Sequence, residues 1–219
     1  MRRFWIILAA LLGLGATALP ASADVTYTLD CNSVACGTQT NYGSVTLHQV
    51  GSGSSASVTV TVDLTTASAT ETFVGTGAGY AINWNISGNP NLTVTNIAPN
   101  GGGQFALQNN AAANHTYKAS PFGSSWMYAI DYTINGSNGT DNKLTFDVTK
   151  SGGLLLSAFA ATSDGFYFAS DIFRDNRTFV VASNTHTYVP EPGTVLMILA
   201  GLGSLFMLHQ RRRKLVRAV

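Results

Sequence analysis

The feature that most constrains the fold is a period-two alternation of apolar and polar residues in the middle of the chain. In "ASVTVTVDL", residues 56–64, the apolar side chains share one face and the polar side chains share the other. The apolar set is Val58, Val60, Val62 and Leu64, and the polar set is Thr59, Thr61 and Asp63. Similar alternation recurs at residues 79–86, 126–134 and 143–149. This period marks β-strands with one buried face, and threonine and valine suit that surface.

Segments rich in glycine, asparagine, serine and proline separate the alternating runs, as in "GSGSS", "SGNPN" and "APNGGG". About ten short strands divided by turns predict a single all-β domain, a β-sandwich for which a jelly-roll-like topology is one option. The segment "NGSNGTDN", residues 135–142, lies between two clear strands and predicts a long hairpin connection. The run "LLLSAFA", residues 154–160, fits either a strand or a helix.

The large aromatic residues follow the same alternation. Trp84 and Trp126 fall in register with isoleucine and tyrosine, which predicts that both tryptophans are buried in one core. Tyr167 falls opposite Phe166 and Phe168 and is the best candidate for an exposed ring. A carbohydrate-binding surface would need such a ring, so the exposure of Tyr167 would distinguish a binding module from a structural domain.

The N-terminus has the three parts of a secretory signal peptide. Arg2 and Arg3 precede an apolar run at residues 4–14, and Ala21-Ser22-Ala23 supplies small residues at the cleavage positions Ala21 and Ala23. We therefore expect residues 1–23 to be removed by signal peptidase, with the mature chain beginning at Asp24. The alternative is a permanent N-terminal anchor.

The chain has two cysteines, Cys31 and Cys36, which lie close together in "DCNSVACG". In an exported protein such a pair predicts a disulfide that holds a local turn. His48, His115 and His186 lack the spacing of metal ligands, so no metal and no cofactor are predicted. Residues 135–142 and 170–176 are rich in side-chain oxygens that could bind calcium, although the usual composition of turns explains these segments equally well.

The charge of the central part argues against a nucleic-acid partner. Of the 12 Lys and Arg residues, two lie in the signal segment and five in the tail, which leaves five in residues 24–188, where ten of the 11 acidic residues lie. Nucleic-acid binding requires a basic surface, and this region is acidic.

Catalytic motifs of the types G-x-S-x-G and H-E-x-x-H are absent from the chain. Before the tail there is one Glu, Glu71, and the Asp residues of four predicted strands all fall opposite the apolar face: Asp63, Asp131, Asp147 and Asp171. This placement predicts an outward, solvated acidic surface. A catalytic carboxylate pair remains open, because the sequence does not show how the strands pair.

The last 31 residues, 189–219, have a different character from the rest of the chain. Residues 193–210 carry no charge and are long enough to span a bilayer. The basic end, residues 211–219, begins with Arg211, Arg212, Arg213 and Lys214, which should stay in the cytoplasm as a membrane stop. Before the span, Pro190-Glu191-Pro192 favours a stiff, extended peptide because proline restricts its own φ and the preceding residue.

This order of features resembles the PEP-CTERM sorting signal of Gram-negative bacteria. The matching residues are the motif Val189-Pro190-Glu191-Pro192-Gly193-Thr194, the span and the cluster "RRRK". The resemblance implies recognition by exosortase, a membrane-embedded cysteine transpeptidase that removes the span. It also implies an inner-membrane stage followed by transfer to the cell surface or the extracellular polymer matrix. A plain C-terminal anchor that is never processed is the alternative.

These inferences divide the chain into a signal peptide at 1–23, a β-sandwich domain at 24–188 and a sorting tail at 189–219. We expect the central domain to be non-enzymatic and to reside at the surface or in an exopolysaccharide matrix, with extracellular polysaccharide as a candidate partner. A carbohydrate-binding module on the same scaffold is the second hypothesis, and an acidic hydrolase is the third.

Overall fold

The computed structural model describes residues 24–32, 36, 41–65, 71–76, 79–109, 116–133 and 139–189. The described residues belong to one compact unit, Asp24–Val189. The predicted signal peptide with Ala21 and Ala23, the span at 193–210 and the basic cluster Arg211–Lys214 lie outside the described residues.

The described part of the chain is built almost entirely from short antiparallel strands. They are β1 (Asp24–Thr28), β2 (Ser44–Val50), β3 (Ser57–Asp63), β4 (Thr72–Phe73), β5 (Ile82–Trp84), β6 (Leu92–Pro99), β7 (Phe105–Asn109), β8 (Tyr128–Tyr132), β9 (Lys143–Lys150), β10 (Phe168–Arg174), β11 (Arg177–Ser183) and β12 (His186–Val189). Two single 3₁₀ turns, Gly53–Ser55 and Leu156–Ala158, are the helical elements among these residues. The prediction of an all-β domain is confirmed, and the ambiguous segment 154–160 contains the second of these turns.

The strands form two sheets. Sheet A has the order β12-β1-β2-β3-β9-β6, and sheet B has the order β11-β10-β5-β8-β7 with β4 paired to β10. In β3 every second residue is buried, as its Val and Thr alternation predicts. A sheet with one buried face needs a second layer to cover that face, and sheet B supplies it.

The main apolar core lies between the two sheets. The Trp84 ring from sheet B lies 5.4 Å from the Phe146 ring of sheet A, measured between ring centres. At the other side of the core, the Tyr27 ring of sheet A lies 4.9 Å from the Phe168 ring of sheet B. Trp84, Phe146 and Phe168 belong to one continuous cluster of buried side chains. This packing confirms the predicted sandwich.

A second apolar cluster covers the outer face of sheet B. It joins Ala129, Ala169 and Ala182 of the sheet to side chains of the preceding loops, including Trp126 and Tyr117. The backbone N–H of Tyr117 donates to the carbonyl of Trp126 over 2.7 Å, and the Trp126 indole N–H donates to the carbonyl of Phe122. Residues 116–126 therefore form a cover, including a cis peptide bond between Ser120 and Pro121.

The prediction that Trp84 and Trp126 share one core is wrong. Both are fully buried, but Trp84 belongs to the inter-sheet core and Trp126 to the outer cluster. The alternation does not extend across Met127, because Trp126 precedes β8 and pairs with Tyr117 instead of with a neighbouring strand of the sheet. Period two holds only while the chain follows one pleated sheet.

The predicted hairpin at residues 135–142 is also wrong. Strand β8 pairs with β5 and β7 in sheet B, whereas β9 pairs with β3 and β6 in sheet A. The connection between Tyr132 and Lys143 therefore joins strands of different sheets instead of two neighbouring strands of one sheet, as a hairpin would.

The predicted disulfide is confirmed: Cys31 is bonded to Cys36, with Cα atoms 3.9 Å apart. Cys31 is fully buried in the outer cluster, and its backbone N–H and carbonyl both pair with Ala182 of β11. The bond thus holds a local bend against sheet B.

Candidate functional site

The sorting motif begins where the folded domain ends. Strand β12 is an edge strand of sheet A and pairs with β1 from Tyr27↔His186 to Asp24↔Val189. Asp24 is the predicted first residue of the mature chain, and Val189 is the first residue of the motif. The two ends of the domain therefore lie side by side on neighbouring strands. Pro190 has no backbone N–H to donate, which suits the end of β12 at Val189.

A short side-chain contact joins two strands at this end of sheet A. Asp24 lies opposite His48 of β2, and the carboxylate Oδ1 of Asp24 is 2.6 Å from Nδ1 of His48. This contact joins β1 to β2, and backbone pairing joins β1 to β12, from which the motif leaves the domain. Both side chains are exposed, so the pair adds at most about 1 kcal/mol to stability.

Tyr167 is not the exposed ring that the sequence predicts. Its ring is half-buried between Tyr27 and His186, at 5.0 and 5.3 Å between ring centres. The exposed ring is that of Tyr188, which is 68% exposed and packs edge-on against His186. The alternation predicted that the Tyr167 ring lies on the other side of the strand from its two Phe neighbours. It could not predict that side chains of β1 and β12 cover that ring.

Asp63 and Asp147 lie on the open face of sheet A, as predicted. Asp63 accepts hydrogen bonds from Thr65 and lies 3.3 Å from the Lys143 ammonium. Asp147 accepts hydrogen bonds from Thr59 and Asn96, and these bonds lower the pKa of its carboxyl. Their oxygens are engaged by neighbouring strands, which indicates a structural role.

Asp171 departs from the prediction of a solvated acidic face, because it is 0% exposed. It lies on the outer face of sheet B, where Thr76 donates to its carboxylate and Gly79 packs against it. Burial raises the pKa of Asp171 to about 6, although the hydrogen bonds from Thr76 oppose that rise. Burial also raises the pKa of Asp131, which is only partly covered. The strand pattern could not show that loops cover this outer face.

A polar cleft lies at the tip of the β10–β11 hairpin, with a volume of about 420 Å³. Its lining residues are Tyr42, Arg174, Asp175, Arg177 and Phe179. Asp175 and Asn176 have φ angles of 51° and 58°, as a type I′ hairpin turn requires. This tight turn places Arg174 directly opposite Arg177.

The Arg174 guanidinium is held from three sides. Its Nη1 donates to Oε1 of Glu71 over 2.7 Å, and Glu71 is 0% exposed. Its Nε lies 3.4 Å from the carboxylate of Asp175, and its Cζ lies 5.4 Å from the centre of the Tyr42 ring. The sequence analysis interpreted residues 170–176 as possible calcium ligands and did not predict this arginine site. The repeated arginine in "RDNR" was the available signal.

Metal-binding geometry is not found in the described ranges: no three His, Cys, Asp or Glu side chains converge there. Within the same ranges, no helix has the length and apolar character needed to cross a membrane.

Comparison with known proteins identifies the C-terminal segment. Residues 189–214 match the family model described as the PEP-CTERM protein-sorting motif. This match confirms the resemblance seen in the sequence, and it spans Val189 through Lys214. No curated protein and no solved structure matches the chain.

Proposed function

We propose that this protein is an exosortase substrate whose non-enzymatic β-sandwich is delivered to the cell surface or the exopolysaccharide matrix of a Gram-negative bacterium. The observation that carries the proposal is the PEP-CTERM motif at residues 189–214, which begins at the last residue of strand β12. The compact unit Asp24–Val189 is the cargo, and the sequence on either side of it directs its handling.

The proposed path uses both terminal segments. The signal peptide directs export, and signal peptidase cleaves after Ala23. The apolar residues 193–210 then halt export in the inner membrane, while Arg211–Lys214 keep the C-terminus in the cytoplasm. Exosortase acts on the extended Pro190-Glu191-Pro192 segment and separates the domain from its span.

The position of the motif suits processing without damage to the fold. Val189 and Gly193 are four residues apart, so their Cα atoms can be separated by at most about 15 Å. Cleavage beyond Val189 leaves every backbone pair between β12 and β1 intact.

The non-enzymatic part of the proposal is supported by how the acidic residues are used. Asp147 is bound by Thr59 and Asn96, and Asp171 is fully buried beside Thr76. The sequence also lacks the common hydrolase motifs. An acidic hydrolase is therefore the third candidate, behind a surface protein and a carbohydrate-binding module. The cleft beside Arg174 favours the binding module as the second candidate.

The test is to replace Pro190-Glu191-Pro192 with three alanines in the full-length chain. The variant should still insert in the membrane, because residues 193–210 and the basic cluster are unchanged. It should not be processed, so the full-length protein should accumulate in the inner membrane. Fractionation and the apparent mass of the protein, in hosts with and without exosortase, provide the measurement.

A truncation that lacks residues 193–219 is the matched control. It retains the motif prolines but has no apolar segment of membrane length after the signal peptide, so it should be released in soluble form in either host. If the triple-alanine variant is processed as efficiently as the parent, the sorting proposal fails and the tail acts only as an anchor.

A further inference from the structure

We propose that the cleft formed by Tyr42, Arg174, Asp175, Arg177 and Phe179 binds a carboxylate-bearing sugar, such as a uronate residue within a polysaccharide chain. This inference deepens the carbohydrate-binding alternative under the proposed function. It names the residues of the site and the chemical class of the ligand.

The first supporting observation is the placement of two like charges. Arg174 and Arg177 are directly opposite each other across the β10–β11 hairpin. Like charges in such a cross-strand pair destabilise a sheet. Only five basic residues lie between the signal segment and the tail, and two of them meet at this cleft. Because Glu71 and Asp175 already contact Arg174, the charge that a bound anion would neutralise is that of Arg177.

The second observation is that Arg174 is held in place while Arg177 is free to bind. Glu71 and the Tyr42 ring fix the Arg174 guanidinium, and the Arg174 side chain remains 22% exposed. Arg177 is exposed, and it forms no ion pair with any residue that the structure describes. One guanidinium is therefore preorganised at the cleft wall, and the second can close on a ligand from the other side.

The third observation concerns the kind of anion that fits. A guanidinium offers paired N–H donors that match the two oxygens of a carboxylate. Phe179, which is partly exposed and packs edge-on against the buried Tyr42 ring with 5.4 Å between ring centres, adds apolar surface for the C–H groups of a sugar ring. Asp175 can accept hydrogen bonds from sugar hydroxyls. The volume of about 420 Å³ falls in the usual range of small-molecule sites, about 300–1,000 Å³.

A purely structural role would explain Arg174, because it neutralises the buried Glu71 carboxylate. It does not explain Arg177, which neutralises no buried group in the described structure. Arg177 is therefore the residue that distinguishes a binding site from a structural ion pair.

The experiment measures calorimetric binding of a galacturonate hexamer to the full-length protein in detergent, without divalent cations. Arg177→Ala should weaken binding roughly 10-fold to 100-fold, the usual range for one charge-assisted hydrogen bond. Arg177→Lys, which keeps the charge but loses the planar fork, should weaken it less. Lys118→Ala removes the same charge at an exposed position outside the cleft and should bind like the parent.

Two ligand controls separate the sugar from its charge. The methyl-esterified hexamer, which keeps the rings but loses the carboxylates, should not bind. Sodium acetate at the same carboxylate concentration should not compete, because it lacks the ring. Thermal unfolding adds an independent measure: the melting temperature of Arg177→Ala should equal or exceed that of the parent, since the repulsion with Arg174 is removed.

The inference is overturned if the hexamer does not bind, if its ester binds equally well, or if acetate competes for the site. It is also overturned if Arg177→Ala and Lys118→Ala weaken binding equally, or if Arg177→Ala lowers the melting temperature while leaving binding unchanged. Processing of Arg177→Ala by exosortase should be normal. Failure of binding with normal processing therefore rejects this site and leaves the sorting proposal standing.

Discussion

Asp147 and Asp171 each lie within a strand of an antiparallel sheet, but their surroundings shift the pKa values of the two carboxyl groups in opposite directions. Hydrogen bonds from Thr59 and Asn96 lower the pKa of Asp147 on the open face of sheet A. On the covered face of sheet B, burial raises the pKa of Asp171. The charged form is therefore favoured at one position and disfavoured at the other.

This difference predicts a specific pH dependence of stability for Asp171. Its pKa in the folded protein is about 6, above the value of about 3.9 expected for the unfolded chain. The folded state binds this proton more tightly, so the stabilisation is complete below about pH 4 and is lost as the pH rises through 6. Asp171→Asn should remove that dependence. Urea unfolding at pH 4 and pH 8 provides the measurement. Between these two pH values, the free energy of unfolding should fall by up to about 3 kcal/mol more in the parent than in the variant.

The matched control is Asp147→Asn. Because the pKa of Asp147 is lowered in the folded protein, its stabilisation is present at neutral pH and is lost on acidification. The Asn variant should therefore be less stable than the parent at pH 7, and the difference should shrink toward pH 3. An unchanged pH dependence in Asp171→Asn would mean that Asp171 is not the group that titrates.

Among the strands, β12 connects the fold to the sorting signal. It is the edge of sheet A, and it covers the hydrogen-bonding edge of β1 through pairs that include Asp24↔Val189 and Thr26↔Thr187. An exposed strand edge invites pairing with other chains, and β12, which has only four residues, covers β1 while leaving a short edge of its own. The motif begins at Val189, the last residue of the strand, so the Pro190-Glu191-Pro192 segment lies beyond the pairs that β12 makes with β1.

Two truncations of the chain test the role of β12. A chain that stops after Val189 keeps the strand and should remain soluble, with one cooperative unfolding transition. A chain that stops after Ser183 lacks β12, leaves the edge of β1 unpaired, and should aggregate and unfold at a lower temperature. Neither chain contains the apolar span, so the difference reports on the strand alone. Size-exclusion chromatography and calorimetry make the comparison, and equal behaviour of the two chains would rule out a protective role.

At the scale of the whole molecule, sheet B is a central layer with apolar surface on both faces. Its inner face contacts sheet A through Trp84 and Phe146, and its outer face lies beneath the cover that contains Trp126. The inter-sheet cluster holds the two sheets together, whereas the outer cluster joins sheet B to local loops. The two tryptophans should therefore affect different parts of the molecule.

Alanine substitutions at the two tryptophans test this division. Trp84→Ala should reduce the free energy of unfolding by about 3–5 kcal/mol and speed amide exchange in both sheets. Trp126→Ala should speed exchange mainly in residues 116–126 and in β8, while β2 and β3 keep the protection of the parent. Hydrogen-exchange mass spectrometry gives the pattern. Equal acceleration of β2 and β3 by both substitutions would contradict the presence of two separate clusters.

The sequence by itself determined the features that depend on near neighbours along the chain. The Val and Thr alternation of β3 predicts a strand because the backbone geometry of a strand repeats every two residues. Cys31 and Cys36 are close enough in sequence for their bond to be local. The PEP-CTERM motif is a continuous segment, so its proline, apolar and basic parts can be recognised from their order in the sequence. The sandwich follows from the strands, because each one-sided strand needs a covering layer.

Only the tertiary structure decided what lies against each face. Alternation separates the two sides of a strand but does not say which distant segment covers either side, so it could not predict the burial of Asp171 or the separate cluster of Trp126. It also could not show that β8 and β9 belong to different sheets, since strand pairing is a long-range choice. The arginine cleft has the same origin. Glu71, Tyr42 and Arg174 are far apart in sequence, and their charges and rings meet only when the strands that carry them are packed together.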